Sequence, residues 1–191
     1  VLEALGEEDF GLYNVIAGVV ALFSFIASTM ATTTQRFISF TMGSAPDTGR
    51  IREVFGSSLC LHVVVAFVVA AVVLLGGGLL IDNVLSIPQG KHSDALFVLV
   101  SVCFGLVGTI VSVPFEALLM AHENIVFVSV CQMFNTLVKL GGALLLLYLE
   151  ADRLRIYAVI MACLPFLLLM MEGSFCLKRY PESRFGVGEL G

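Results

Sequence analysis

Apolar residues fall into five long runs along this chain, and within each run the few polar side chains recur at three- and four-residue spacing. Gly11 to Gln35 holds no charge over 25 residues, Gly56 to Ile81 has only His62 as a titratable base, and Ala95 to Phe115 is uncharged over 21. Ile125 to Leu149 is broken only by Lys139, and Ile156 to Leu177 only by Glu172. A hydrocarbon core of about 30 Å needs about 20 helical residues at 1.5 Å each, so every run is long enough to cross a bilayer. The pattern predicts spans at about 11–36, 57–81, 95–120, 125–149 and 155–177.

Composition raises this from five local patterns to a fold class. With 59% hydrophobic residues and a mean hydropathy of +1.02, a soluble domain of this size has no interior large enough to hide its apolar surface. The expected class is an all-α integral membrane protein, a multispanning helical bundle.

Basic residues set its orientation. Arg36, Arg50 and Arg52 follow the first run, and Lys178, Arg179 and Arg184 follow the fifth. The opposite side carries Lys91, Arg153 and Arg155, while Glu3, Glu7, Glu8 and Asp9 at the start have no base beside them. Six against three predicts a cytoplasmic first connection and tail, and an external segment 1–10. An external start without an initiating Met or a signal-peptide pattern predicts a further span upstream. The net charge of −5, partly from that acidic start, points away from nucleic acid as a partner.

The connections are short. Met42 to Pro46 reads as a turn, after which Asp47 can cap a helix of about 47–56 with Ile51, Val54 and Phe55 on one side, lying along the cytoplasmic interface. Ala121 to Asn124 and Glu150 to Arg155 read as tight hairpins, so consecutive spans pack antiparallel. Residues 181–191 read as a cytoplasmic linker to something beyond.

At 100° per residue, Ser129, Gln132, Asn135, Thr136 and Lys139 of the fourth run fall within an arc of about 120°. Asn14, Ala17, Ala21, Ser24, Ser28, Thr32 and Gln35 form a similar stripe in the first run, with Arg36 at its edge. Ser101, Gly105, Gly108, Thr109, Ser112 and Glu116 form one in the third, and Met161, Pro165, Glu172 and Cys176 share a side of the fifth. Close helix packing accounts for small and hydroxyl residues in such stripes. Lys139 is different, because a charge near the bilayer centre costs on the order of 3 kcal/mol. It calls for a cavity, or an ion pair with Glu116 or Glu172. Those two carboxylates lie toward run ends, where interfacial placement is expected, and they are the coupling candidates if ions move. Pro114 and Pro165 should kink their helices by removing a backbone hydrogen bond.

Other chemistry is sparse. Cys60, Cys103 and Cys131 sit one each in the second, third and fourth runs and Cys163 and Cys176 in the fifth, without a CxxC pair, and they read as small packing residues. His62, His92 and His122 match no zinc spacing. Gly76-Gly77-Gly78 is followed by Leu79-Leu80, so it reads as close helix contact or a helix end and not as a phosphate loop. No catalytic constellation or cofactor motif is present, and an enzyme is not expected.

Three segments carry a family resemblance: Leu5 to Val15 (LGEEDFGLYNV), Thr34 to Phe40 (TQRFISF), and Ser112 to Ala117 (SVPFEA) followed by Ala121-His122-Glu123. In order and spacing they resemble the polysaccharide or O-antigen flippases of the multidrug, oligosaccharidyl-lipid and polysaccharide exporter superfamily. The resemblance implies two six-helix lobes around a central cavity, with this chain covering spans two to six of the N-terminal lobe. A first span and a C-terminal lobe would then be partners of this bundle. It also implies flipping of a polyprenyl-diphosphate-linked oligosaccharide across the bacterial inner membrane. Lys139 or Arg36 would hold the diphosphate through charge-assisted bonds. Gln132, Asn135, Gln35, Ser28 and Thr32 would meet the glycan. A cation-coupled multidrug exporter of the same superfamily and a non-transporting membrane scaffold are the alternatives.

Overall fold

In this computed structural model, residues 5–44, 47–83, 90–148 and 152–184 are described, with every side chain among them except those of Val19, Ser24, Asp82 and Asn83. The turn residues Ala45 and Pro46, residues 149–151, the tail beyond Arg184 and the Ser24 side chain of the first polar stripe lie outside them. Among the described residues five long helices follow one another: α1 Glu7–Ser44, α2 Thr48–Asn83, α3 His92–Ala121, α4 Ile125–Leu145 and α5 Arg153–Arg179, then a 3-10 turn at Pro181–Ser183. All five are long and apolar enough to cross a membrane, as a multi-pass membrane protein requires.

α1 and α2, of 38 and 36 residues, run about 57 and 54 Å, well beyond a hydrocarbon core of about 30 Å. α1 starts inside the segment expected to be an external loop. Glu7, Glu8 and Asp9 fill its first turn, where acidic side chains complement the helix dipole. At the other end, the stretch 47–56 is not a separate interfacial helix but the opening turns of α2. Its apolar side finds protein instead of lipid. Ile51 and Phe55 are buried in one cluster with Ile38 of α1 and Phe115, Leu118 and Leu119 of α3. Phe55 meets Phe115 edge to face, with ring centroids 5.3 Å apart.

α3 is the centre of the bundle, packing against α5, α1 and α2 and more lightly against α4. Of its most apolar stretch 56% is buried against 11% for α4, so α3 is core and α4 is a peripheral wall. Small residues permit this crowding. A Cβ on Gly105 would lie 3.3 Å from the Ala162 Cα, and one on Gly108 would lie 3.0 Å from the Phe166 ring. Of the glycine triplet, Gly77 alone faces a neighbour, since a Cβ there would reach within 2.6 Å of Leu99; Gly76 and Gly78 face open space. Outward faces are strongly apolar, with Leu22 and Phe25 of α1 and Leu75 of α2 each more than 70% exposed. Apolar exposure on that scale suits contact with lipid.

Polar contacts tie the two ends. At the end bearing the α2–α3 connection, Lys91 pairs with Asp9 at 2.5 Å and Glu8 at 3.2 Å, and Arg155 of α5 pairs with Asp94 of α3 at 2.7 Å. At the other end, the α3–α4 hairpin turns through Glu123 in the left-handed region at φ +59°. There His122 pairs with Glu182 at 2.6 Å and stacks on the Tyr180 ring at 3.9 Å, while Asn124 donates to the Tyr180 hydroxyl. The segment after α5 is thereby strapped across the hairpin.

Candidate functional site

α4 touches α5 near both of its ends. Toward one end a Cβ on Gly142 would come within 3.0 Å of Ile160, and toward the other the rings of Phe127 and Phe175 stack at 4.0 Å. Between these contacts lies an open cavity of about 470 Å³, with α3 behind it and α1 at its side, in which Ser28, Gln132 and Lys139 are exposed.

The polar stripes read from the sequence converge on this cavity. Ser28 of α1, Thr109, Ser112 and Glu116 of α3, Gln132, Asn135 and Lys139 of α4, and Glu172 of α5 all line it. Thr32, Gln35 and Arg36 do not. The Thr32 hydroxyl bonds back to the Ser28 carbonyl at 3.2 Å. Arg36 lies eight residues beyond Ser28, about 12 Å further along α1, and is exposed. α1 lines the cavity with Tyr13, Ala27, Ser28 and Ala31, and of the candidates on that helix only Ser28 is among them.

The two carboxylates turn toward the interior of the bundle. Glu172 is 1% exposed and faces inward, and Glu116 is half-buried on the same cavity. α3 and α5 continue past them by five and seven residues, keeping both inside the bundle. The anticipated ion pair with Lys139 does not form: among the described residues every ion pair involves other groups. Lys139 instead stands at the junction with a second hollow of about 390 Å³ that extends past Tyr13, Ala17 and Ala21 of α1.

Asn135 is 8% exposed, and its Oδ1 is fully buried without a hydrogen-bond partner. An orphaned amide oxygen in a cavity wall is a costly feature unless something else occupies the space. Tyr13 was not among the sequence candidates, although it lines both hollows and packs edge to face on Tyr157 at 4.8 Å. Its signal was the spacing that leads from Tyr13 through Ala17 and Ala21 to Ser28. Among the described residues no three His, Cys, Asp or Glu side chains are grouped to hold a metal.

Chemically, the site offers one ammonium, two carboxyls, two amides and several hydroxyls inside an otherwise apolar bundle. Comparison with family models, curated proteins and solved structures gives no match.

Proposed function

We propose that this bundle is part of a flippase that moves a polyprenyl-diphosphate-linked oligosaccharide across the bacterial inner membrane for cell-surface polysaccharide assembly, with a further span and a second helical lobe as its partners. The observation that carries this reading is Lys139, a cation in the middle of an apolar helix, without an ion-pair partner and lining a cavity walled by amides and hydroxyls. A diphosphate needs such a cation where water is scarce, and a glycan needs the hydrogen-bonding groups beside it. The three sequence segments that resemble the polysaccharide flippases support it independently.

The test is glycan display in cells whose full-length protein carries Lys139→Ala. Display is abolished while protein abundance stays near normal. Unchanged display at normal abundance removes Lys139 from the site, and tolerance of neutralisation at both Lys139 and Arg36 would favour a non-transporting scaffold.

A cation-coupled multidrug exporter is the second reading, favoured by Glu116 and Glu172 lining one cavity. On that reading Glu172→Gln raises drug susceptibility and leaves glycan display intact.

A further inference from the structure

We infer that the cavity takes a substrate carrying charge of both signs, with an anionic group at Lys139 and a primary amine held by Glu116, Glu172 and Asn135. Resting on the flippase reading, this makes the cargo a lipid-linked glycan with a free, unacylated amino sugar.

The argument begins with depth. Glu116 lies five residues before Ala121, Glu172 seven before Arg179, and Gln132 and Lys139 seven and fourteen after Ile125. At 1.5 Å per residue they stand about 8, 11, 11 and 21 Å from the hairpin end of the bundle. The cavity is therefore polarised. Its carboxyls are near the hairpin end with Gln132 at the level of Glu172, its ammonium is roughly 10 Å further in, and Asn135 lies between. By the distribution of basic residues the hairpin end is the cytoplasmic one, where a glycan headgroup would be loaded.

Hydrogen-bond inventory gives the second step. The Glu116 and Glu172 carboxyls have no cation within ion-pairing distance among the described residues, and Asn135 Oδ1 is buried without a donor. The carboxylate end of the cavity thus presents acceptors in want of donors. An ammonium group supplies three N–H donors and a positive charge from one atom, whereas an acetamido group supplies one N–H and no charge. A carboxyl that is 1% exposed gains most from a partner that brings charge as well as hydrogen bonds.

The size of the cavity suits an occupant larger than a single ion. A water-sized particle takes up about 30 Å³ of liquid volume, a small part of a cavity of about 470 Å³ that is continuous with the lysine. A sugar bearing an amine, joined to a diphosphate that reaches Lys139, fills the space between the two charged ends.

The test measures binding of farnesyl-diphosphate-linked glucosamine and of its N-acetylated counterpart to the chain in lipid nanodiscs, in sodium-free buffer and again with sodium. The amine probe binds about tenfold more tightly than the acetylated one. Glu172→Gln, and separately Glu116→Gln, removes that preference by weakening the amine probe alone, while Lys139→Gln weakens both probes alike. Equal affinity of the unaltered chain for the two probes overturns the inference, and if Lys139→Gln still weakens both, the flippase reading survives it. An amine preference that persists while Lys139→Gln changes neither probe overturns the flippase reading and keeps the amine site. A Glu172→Gln effect confined to a sodium response assigns the carboxyls to an inorganic cation and overturns the inference. Binding of neither probe overturns both.

Discussion

Lys139 and Glu172 line the same cavity from adjacent helices and do not pair. α4 and α5 meet at Gly142–Ile160 and Phe127–Phe175 and part between these points, so their charged residues face a hollow instead of each other. Glu172 is 1% exposed whereas Lys139 is exposed, so the cavity sets a buried carboxyl near an accessible ammonium. An occupant that meets both offsets the cost of leaving the carboxyl without a partner.

Asn135 gives the most direct test of an evolved stability sacrifice. Its buried Oδ1 has no donor, and leaving such a group unsatisfied costs about 1–3 kcal/mol. Asn135→Leu, similar in size, raises the thermal midpoint of the ligand-free protein in detergent while impairing glycan display. A lowered midpoint shows that the amide is structurally satisfied and not held in reserve.

The α3–α5 contact predicts a contrast between two glycines. A Cβ at Gly105 would lie 3.3 Å from the backbone of Ala162, which has no side chain to swing away, whereas nothing lies within 4 Å of a Cβ at Gly141. Gly105→Ala therefore lowers stability by about 1 kcal/mol through helix displacement. Gly141→Ala raises it by up to about 1 kcal/mol because alanine is the better helix former. Chemical denaturation of both variants side by side decides it, and equal effects would mean that α3 and α5 are less closely packed than described.

The strap after α5 has a local readout. His122 pairs with Glu182, which is 5% exposed, and stacks on Tyr180. His122→Ala leaves a buried carboxylate unpaired and frees the segment. Hydrogen exchange at Tyr180 and Ser183 should rise by about tenfold or more, corresponding to a loss of about 1–3 kcal/mol. Exchange that rises equally throughout α5 would mean that the strap holds the helix and not merely itself.

How much of this was legible in the sequence differs by level. The helices were legible because uncharged runs longer than the bilayer allow few other structures. Their ends were not. Whether Ile51 and Phe55 face lipid or protein depends on Phe115 and Leu118, more than sixty residues away in sequence, and local amphipathicity is the same in either case. Of the polar stripes of α3, α4 and α5, Thr109, Ser112, Glu116, Gln132, Asn135, Lys139 and Glu172 line the cavity while Ser101, Ser129, Thr136 and Cys176 do not, since a helical face is a local property but its depth is not. Which members of the α1 stripe reach it depends on how α1 packs against α3, a tertiary quantity that separates Ser28 from Arg36.

Lys91 sets a pH expectation outside the spans. Its hydrogen bond to Asp9, assisted by Glu8, raises the ammonium above the ordinary lysine value of 10.5. A raised folded-state value means that the bond stabilises fully below the unfolded-state value of 10.5 and is lost as pH climbs from there through the folded-state value. Lys91→Gln is therefore destabilising by up to about 1 kcal/mol at pH 7, and the gap from the unaltered protein closes in strongly alkaline buffer. A gap that is unchanged there would assign the effect to packing of the lysine stem.

His62 is the last buried polar group without a full set of partners, and its chemistry fixes the outcome of replacing it. Its Nδ1 lies 2.7 Å from the Ser58 carbonyl oxygen. A carbonyl only accepts, so Nδ1 carries the proton and Nε2 is left as a lone-pair acceptor. That atom is buried with no donor, on a residue that is 1% exposed. Ser58 in turn bonds to Thr34 of α1 at 3.2 Å, so the Nδ1 side belongs to an α1–α2 hydroxyl contact while Nε2 is left without a partner. His62→Leu keeps much of the volume and removes the orphan acceptor, and Ser58 and Thr34 still satisfy each other. Stability should rise by about 1–2 kcal/mol. His62→Ala removes the acceptor too but leaves a cavity, and it should lower stability by about 2–4 kcal/mol. The pair of variants separates polarity from volume. If His62→Leu is as damaging as His62→Ala, then Nε2 has a partner when the protein works, and the α1–α2 contact is a second polar site in the membrane.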